Sequence, residues 1–268
     1  MRFAPCTRNC ALCPLAQPFT PLVREYMTAI MSLSEHRRYA RQLLDDTSPK
    51  DAPTAYYMLF HDPNRSTLYT FFDEHGRTEG AVGVFQTGQD LFRPLVTMVC
   101  RNVQIAQRLL HKALIVGRPY IFFANINQLP LVSEDLQLTE QRILQIYNLD
   151  SRRFQPQINV MVERKTSANG SPRCEINLGS YQAVAGVNWQ SPGFAEVYVY
   201  TDPEVRGRGW GRHVLVALTD EILRSGRQPI YLVEAENHAS RQLAESVGYI
   251  DTGYRQVYAD AVFVGAST

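Results

Sequence analysis

Apolar residues along this chain change period several times, and the changes divide it into elements. Leu22, Val23, Tyr26, Ile30 and Leu33 recur at spacings of three and four, which predicts helix across Thr20 to Asp46, with a second amphipathic piece from Glu35 to Leu44. Thr47 to Pro53 is polar and proline-bearing, a break. Runs rich in β-branched and aromatic residues then predict strands at Ala55–Phe60, Ser66–Phe72, Ala81–Phe85 and Pro94–Cys100, with turn signals at Asp62-Pro63-Asn64 and Glu74-His75-Gly76. Val103 to Val116 reads as a helix with Ile105, Leu109, Leu110 and Leu114 on its apolar side. Pro119–Asn125 reads as a strand and Glu134–Tyr147 as a further helix.

Asn148 to Pro156 has the composition of a linker. Beyond it, strands are expected at Gln157–Glu163, Cys174–Leu178, Ala183–Trp189 and Glu196–Thr201, with a polar hairpin loop over Thr166–Pro172. A helix carrying Val214, Leu215 and Leu218 follows, then a strand at Gln228–Ala235, a helix from Asn237, and a last strand or hairpin over Gly253–Val264. The order of elements before the linker resembles the order after it. Val99 and Val199 occupy similar points, so the chain reads as a repeat of about 100 residues.

The two copies differ where the central strand meets its helix. The second has Arg206, Gly207, Arg208, Gly209, Trp210, Gly211 and Arg212; the first has Arg101-Asn-Val-Gln-Ile-Ala. Glycines let the backbone turn sharply and let a ligand approach it. The first N–H groups of a helix lack internal partners and carry partial positive charge. Strand, glycine turn and helix together predict an anion site, suited to a pyrophosphate, with Arg206, Arg208 and Arg212 adding charge. No Lys follows the glycines, so this is not a Walker loop, and G-x-G-x-G is not the dinucleotide fingerprint. Without glycine the first copy is expected to bind nothing there.

Arg206-x-x-Gly209-x-Gly211 after a strand resembles the acyl-CoA loop of the GNAT N-acetyltransferase superfamily. Asn237-His-Ala-Ser240-Arg-Gln-Leu243-Ala-Glu-Ser-Val-Gly248-Tyr249 resembles the same family's following helix. The match covers about residues 174–264. The resemblance implies a tandem α+β fold with a mixed sheet: an arm over residues 1–19, a degenerate GNAT-like domain over 20–150, and the acetyltransferase domain over 151–268. An unrelated α+β domain is the alternative for 20–150. The pair of helices that opens a complete GNAT domain is missing after the linker, so the first lobe or a second subunit has to wall the acceptor side, and a homodimer is one way to do so.

The resemblance also implies acetyl-CoA as co-substrate and a primary amine of a small molecule, amino acid or peptide as acceptor. Pantetheine is expected along Val199, Tyr200 and Thr201, with Asn237 and Ser240 beside the cofactor. Glu196 is the expected base, a carboxylate in an otherwise apolar strand whose pKa burial would raise. Glu234 is the second candidate. The family often places a tyrosine where this chain has Ala244, so the acid is open, with Tyr198, Tyr200 and Tyr249 available. Ala244 and the missing helices also keep a second reading in view, a non-catalytic acyl-CoA-binding or interaction module.

Composition narrows the rest. With 27 Lys+Arg against 26 Asp+Glu, the net charge of +1 gives no basic excess for nucleic acid. No apolar run reaches the ~20 residues of a membrane span. Five cysteines, an odd count, do not suggest a secreted disulfide scaffold, and a cytoplasmic location is expected. Cys6, Cys10 and Cys13 copy the spacing of an iron–sulfur motif and form a candidate metal cluster, with His36 or Cys100 as a distant fourth ligand. A flexible arm is the plainer reading of that stretch.

Overall fold

The computed structural model of the protein describes residues 31–88 and 90–265. The first helix reading, from Thr20, and the Cys6, Cys10 and Cys13 cluster lie outside the described residues or mostly so. Helix α1 spans Leu33–Ala40, opened by a reciprocal cap between Ser32 and Glu35. A short helix α2, Ala52–Ala55, runs on into a single π-helical turn, Tyr56–Phe60. This corrects the expected strand at 55–60. The run Tyr56-Tyr57-Met58-Leu59-Phe60 is continuously apolar, so its period does not separate strand from helix, and Pro53 in the first turn starts the helix.

Strands β1 (Ser66–Phe72), β2 (Thr78–Phe85) and β3 (Leu95–Cys100) form an antiparallel meander. Helix α3 (Val103–Ala113), β4 (Pro119–Asn125) and β5 (Leu136–Leu149) complete the first half. β5 replaces the helix expected over 134–147. Leu136, Ile143, Ile146 and Tyr147 fit helical spacing, but a bulge and Glu140 at φ 49° break the alternation that would have marked a strand. In the second half the order is β6 (Glu163–Thr166), β7 (Pro172–Leu178), β8 (Tyr181–Gln190), β9 (Phe194–Thr201), α4 (Trp210–Arg224), β10 (Gln228–Glu234), α5 (His238–Val247) and β11 (Tyr249–Phe263). The expected strand at 157–163 is irregular backbone until β6 begins.

All the described strands share one sheet, ordered β1-β2-β3-β4-β11-β5-β10-β9-β8-β7-β6. The chain halves do not separate at residue 150. β11, from the second half, lies between β4 and β5, while β5, from the first, pairs with β10. Helices α3, α4 and α5 cover one face. There Val197, Val214, Leu215, Leu218 and Tyr231 form one core, and Val96, Met98, Leu109, Leu110 and Phe122 another. The opposite face is covered by the segment from α1 to Phe60, whose Ala55, Met58 and Leu59 bury Leu68, Phe85 and Phe123. That segment also crosses to the second half, where Ala52 packs with Trp189, Phe194 and Ile230. The ring of Tyr56 stacks on Trp189 at 4.8 Å and 13°. The first lobe therefore covers this face of the sheet in both halves.

Candidate active site

The parallel ladder between β9 and β10 runs from Phe194/Gln228 to Val197/Tyr231 and stops. Beyond it Tyr198–Thr201 and Leu232–Glu234 diverge, while their outer edges stay paired to β8 and β5. Two parallel strands that separate leave a slot with main-chain groups on both sides. At the end of the slot stands the start of α4. Gly209 occupies the N-cap at φ 81°, with no side chain closing the cap, and Gly207 is at φ 76°. A β-carbon on Gly207 would meet nothing within 4 Å, so open space lies over that backbone. Gly211 has another role. A β-carbon there would lie 3.0 Å from Thr201 Oγ1, so this glycine lets helix and strand pack closely. Trp210 anchors the turn in the core beside α4.

The arginines of the turn divide. Arg208 is exposed. Arg206 Nε donates to the carbonyl of Thr201 at 3.1 Å, occupying a group expected to face pantetheine. Arg212 Nη1 donates to Gln157 Oε1 at 2.8 Å and Nε to the Ser246 carbonyl at 3.4 Å. Arg212 is thus held against the linker and α5. Asn237 caps α5 by accepting from the Ser240 N–H at 3.0 Å.

Glu196 sits on the other face of β9, one residue before the ladder ends. A bulge between Val187 and Trp189 leaves Asn188 as the extra residue, and its Nδ2 donates to Glu196 Oε1 at 3.2 Å. Glu196 lines a cavity of about 180 Å³ between the sheet and the first lobe, with Tyr56, Tyr57, His61, Trp189 and Leu232 among its walls. Its side chain is half-buried and faces that cavity. Burial raises its pKa to about 7, against the pull of Asn188 and Trp189. His61 in the same wall is held below its ordinary pKa, chiefly by burial, and its Nδ1 meets Ser66 Oγ at 3.0 Å. Burial, then the charge of Glu196, pushes the Tyr57 phenol up.

The other sequence candidates do not gather at this point. Glu234 is exposed at 47% and paired with Arg142 at 3.1 Å, outside the cavity. Tyr198 lies across Gly186, and its hydroxyl accepts from Arg173 Nη1 at 3.4 Å, on the side away from β10. Tyr200 is exposed, and Tyr249 is buried with its hydroxyl 2.9 Å from Thr219 Oγ1. Ala244 is fully buried in the core. Sequence reasoning missed Tyr231, which ends the β9–β10 ladder. Its phenol is hydrogen-bonded to Ser240, and burial raises its pKa, opposed by Ser240 and reinforced by Glu196. It pairs with Val197, so its ring lies on the helix-covered face and not in the Glu196 cavity, and only its place on the neighbouring strand could have drawn attention to it. Tyr56, Tyr57 and His61 were hidden by the mistaken strand at 55–60. Of the proposed distant metal ligands, His36 is hydrogen-bonded to Thr70 and Cys100 is buried; no cluster of metal-binding side chains occurs among the described residues. No described helix is long and apolar enough to cross a membrane.

Comparison with known proteins bears on the fold. Residues 178–258 match the family model described as FR47-like protein. A GCN5-related N-acetyltransferase-like protein from Streptococcus suis superposes with a TM-score of 0.53 at 14% identity, covering 85% of this chain and 99% of that one. A GCN5-related N-acetyltransferase from Sphaerobacter thermophilus gives 0.56 at 9% identity, covering 88% and 95%. A tandem GNAT protein from the clavulanic acid biosynthesis pathway gives 0.52 at 11%, also covering 88% and 95%. No curated protein matches in sequence. The chain shares the fold of these GNAT-related proteins, and its FR47-like segment runs from Leu178 to Tyr258.

Proposed function

We propose that the protein is an acetyl-CoA-dependent N-acetyltransferase with a primary amine as acceptor. The observation that carries this reading is the position of Glu196: a carboxylate with a pKa near neutrality, in a cavity open at one end, where β9 and β10 part beside an uncapped glycine turn. The backbone of Gly207 and Gly209 fits a pyrophosphate, because nothing lies over Gly207 and no side chain bonds the cap at Gly209, although the His213 ring stands 3.7 Å from the place of a β-carbon there. The slot beyond Val197 and Tyr231 fits the extended pantetheine arm, and acetyl-CoA supplies an activated thioester there.

Glu196 takes the proton of the incoming ammonium, leaving a neutral amine to attack the thioester carbon. The new C–N bond replaces the C–S bond. The nitrogen sheds its second proton as the amide forms, and water returns a proton to the leaving thiolate. Confinement in the cavity supplies part of the acceleration by fixing the amine against the slot.

Calorimetry with acetyl-CoA and a thiol-release assay over an amine panel test the proposal. It requires binding, turnover with at least one amine, and loss of turnover in Glu196→Gln. Ala244, a core residue where the family often has tyrosine, favours the second reading of a binding module. Acetyl-CoA binding with no turnover on any acceptor would select that reading, and no heat and no thermal shift would remove both.

A further inference from the structure

The cavity at Glu196 has two unlike ends. Asn188 and Glu196 form the polar end, and Asn188 is exposed, so that end opens outward. The other end reaches the first lobe, where Leu95, Ile121, Phe123 and Thr87 line it. Leu144, Leu232 and the rings of Tyr57 and Tyr258 make up the wall between, with the hydroxyls and His61 adding polar atoms. Glu196 is the one carboxylate in the lining, and among the described residues no lysine or arginine lines the cavity. Arg142 lies over the outer ring face of Tyr258 at 4.9 Å, but is paired with Glu234. His61 is held toward its neutral form by burial.

We infer that the acceptor is a primary amine on a single ring or short branched hydrocarbon, with no carboxylate of its own. The inference rests on the acetyltransferase reading and names the substrate class within it. Three arguments support it. A cavity of ~150 Å³ holds a molecule the size of benzene, and this one, at about 180 Å³ with Leu144, Trp189 and Leu232 in a mixed wall, has room for one ring and a short chain. An amine must reach Glu196 to lose its proton, which leaves its body among Trp189, Leu232 and the ring of Tyr56. A carboxylate on the carbon next to the nitrogen would then stand within a few ångströms of Glu196 in a low-dielectric site. Like charges so placed cost several kcal/mol, and the described lining offers no cation to offset them.

Matched acceptor pairs test this with the unmodified protein. Phenethylamine and phenylalanine differ by one carboxylate, as do isopentylamine and leucine. At saturating acetyl-CoA, thiol release is expected to show kcat/KM for each amine on the order of 100-fold above its amino acid. Equal rates, a preference for the amino acids, or acetyl-CoA binding with neither pair accepted would overturn the inference and leave the cofactor reading standing. If acetyl-CoA gives no heat and no thermal shift, the acetyltransferase reading fails instead. Direct titration of phenethylamine against phenylalanine then decides the present point: preferential binding of the amine supports it, and no preference overturns it.

Discussion

The two halves of the molecule place a helix after a strand that leaves its parallel neighbour, and they finish that junction in opposite ways. In the first half the β3–β4 ladder covers only Leu95/Ile121 and Val96/Phe122. Asn102 caps α3 by accepting from the Ile105 N–H at 2.9 Å. Gln128 Oε1 accepts from the Cys100 N–H at 2.8 Å, so a side chain fills the gap between the strands. In the second half Gly209 stands at the cap position with no side-chain bond, and space lies open above Gly207. The same architecture is self-satisfied in one copy and unsatisfied in the other. An unsatisfied helix start next to an open slot marks a binding site, because exposed donors are retained at a cost in stability.

The sharpest way to break this comparison is to remove the chemistry and leave the fold. Glu196→Gln should lower kcat by on the order of 10²–10⁴-fold while acetyl-CoA affinity, read by calorimetry, stays within error. In the unmodified protein kcat/KM should rise with pH through about 7, as Glu196 ionises, and the variant should lose that step. A weaker effect is expected at the open turn. Gly209→Val must adopt a left-handed backbone and covers the cap, so acetyl-CoA affinity should fall by ~10–100-fold. The matched change in the other half, Asn102→Gly, should leave affinity and a stoichiometry of one per chain unaltered; two molecules bound per chain would show the halves to be equivalent.

Stability measurements sharpen the contrast further. Asn102→Ala should cost ~1 kcal/mol in denaturant unfolding, because it removes a cap that α3 uses. The smallest effect is a pH-dependent difference in Tm. Glu196 has its folded pKa raised from 4.5 to about 7, so the folded state binds the extra proton between those values. Stability present below about pH 4.5 is lost as pH rises through about 7. Glu196→Gln should therefore melt above the unmodified protein at pH 8 and converge with it near pH 4.5, and a constant offset would deny that Glu196 is desolvated.

Much of the second half was legible because its signals are local. Gly207 and Gly209 adopt the positive φ that glycine permits, Asn237 caps α5, and Glu196 interrupts an apolar strand. The first half was harder to read, since its segments are decided by partners far along the chain. β5 is a strand because β10 and β11 flank it, although its own residues fit a helix. Tyr56 to Phe60 carries no period to read, and only the fold brings Tyr56 onto Trp189 and Tyr57 toward Glu196. Arg212 illustrates the converse limit: its charge sits in the right motif, yet Gln157 and Ser246 hold it elsewhere.

The exchange of β5 and β11 governs how this polypeptide can be assembled. While the first lobe emerges during synthesis, its β4 has no neighbour on one side, and the missing ribbon is the 15-residue β11, made more than a hundred positions later. Neither half can close its sheet alone, so a cut between them yields fragments that must find each other to regain shape. A complete sheet, on this view, waits for the last strand.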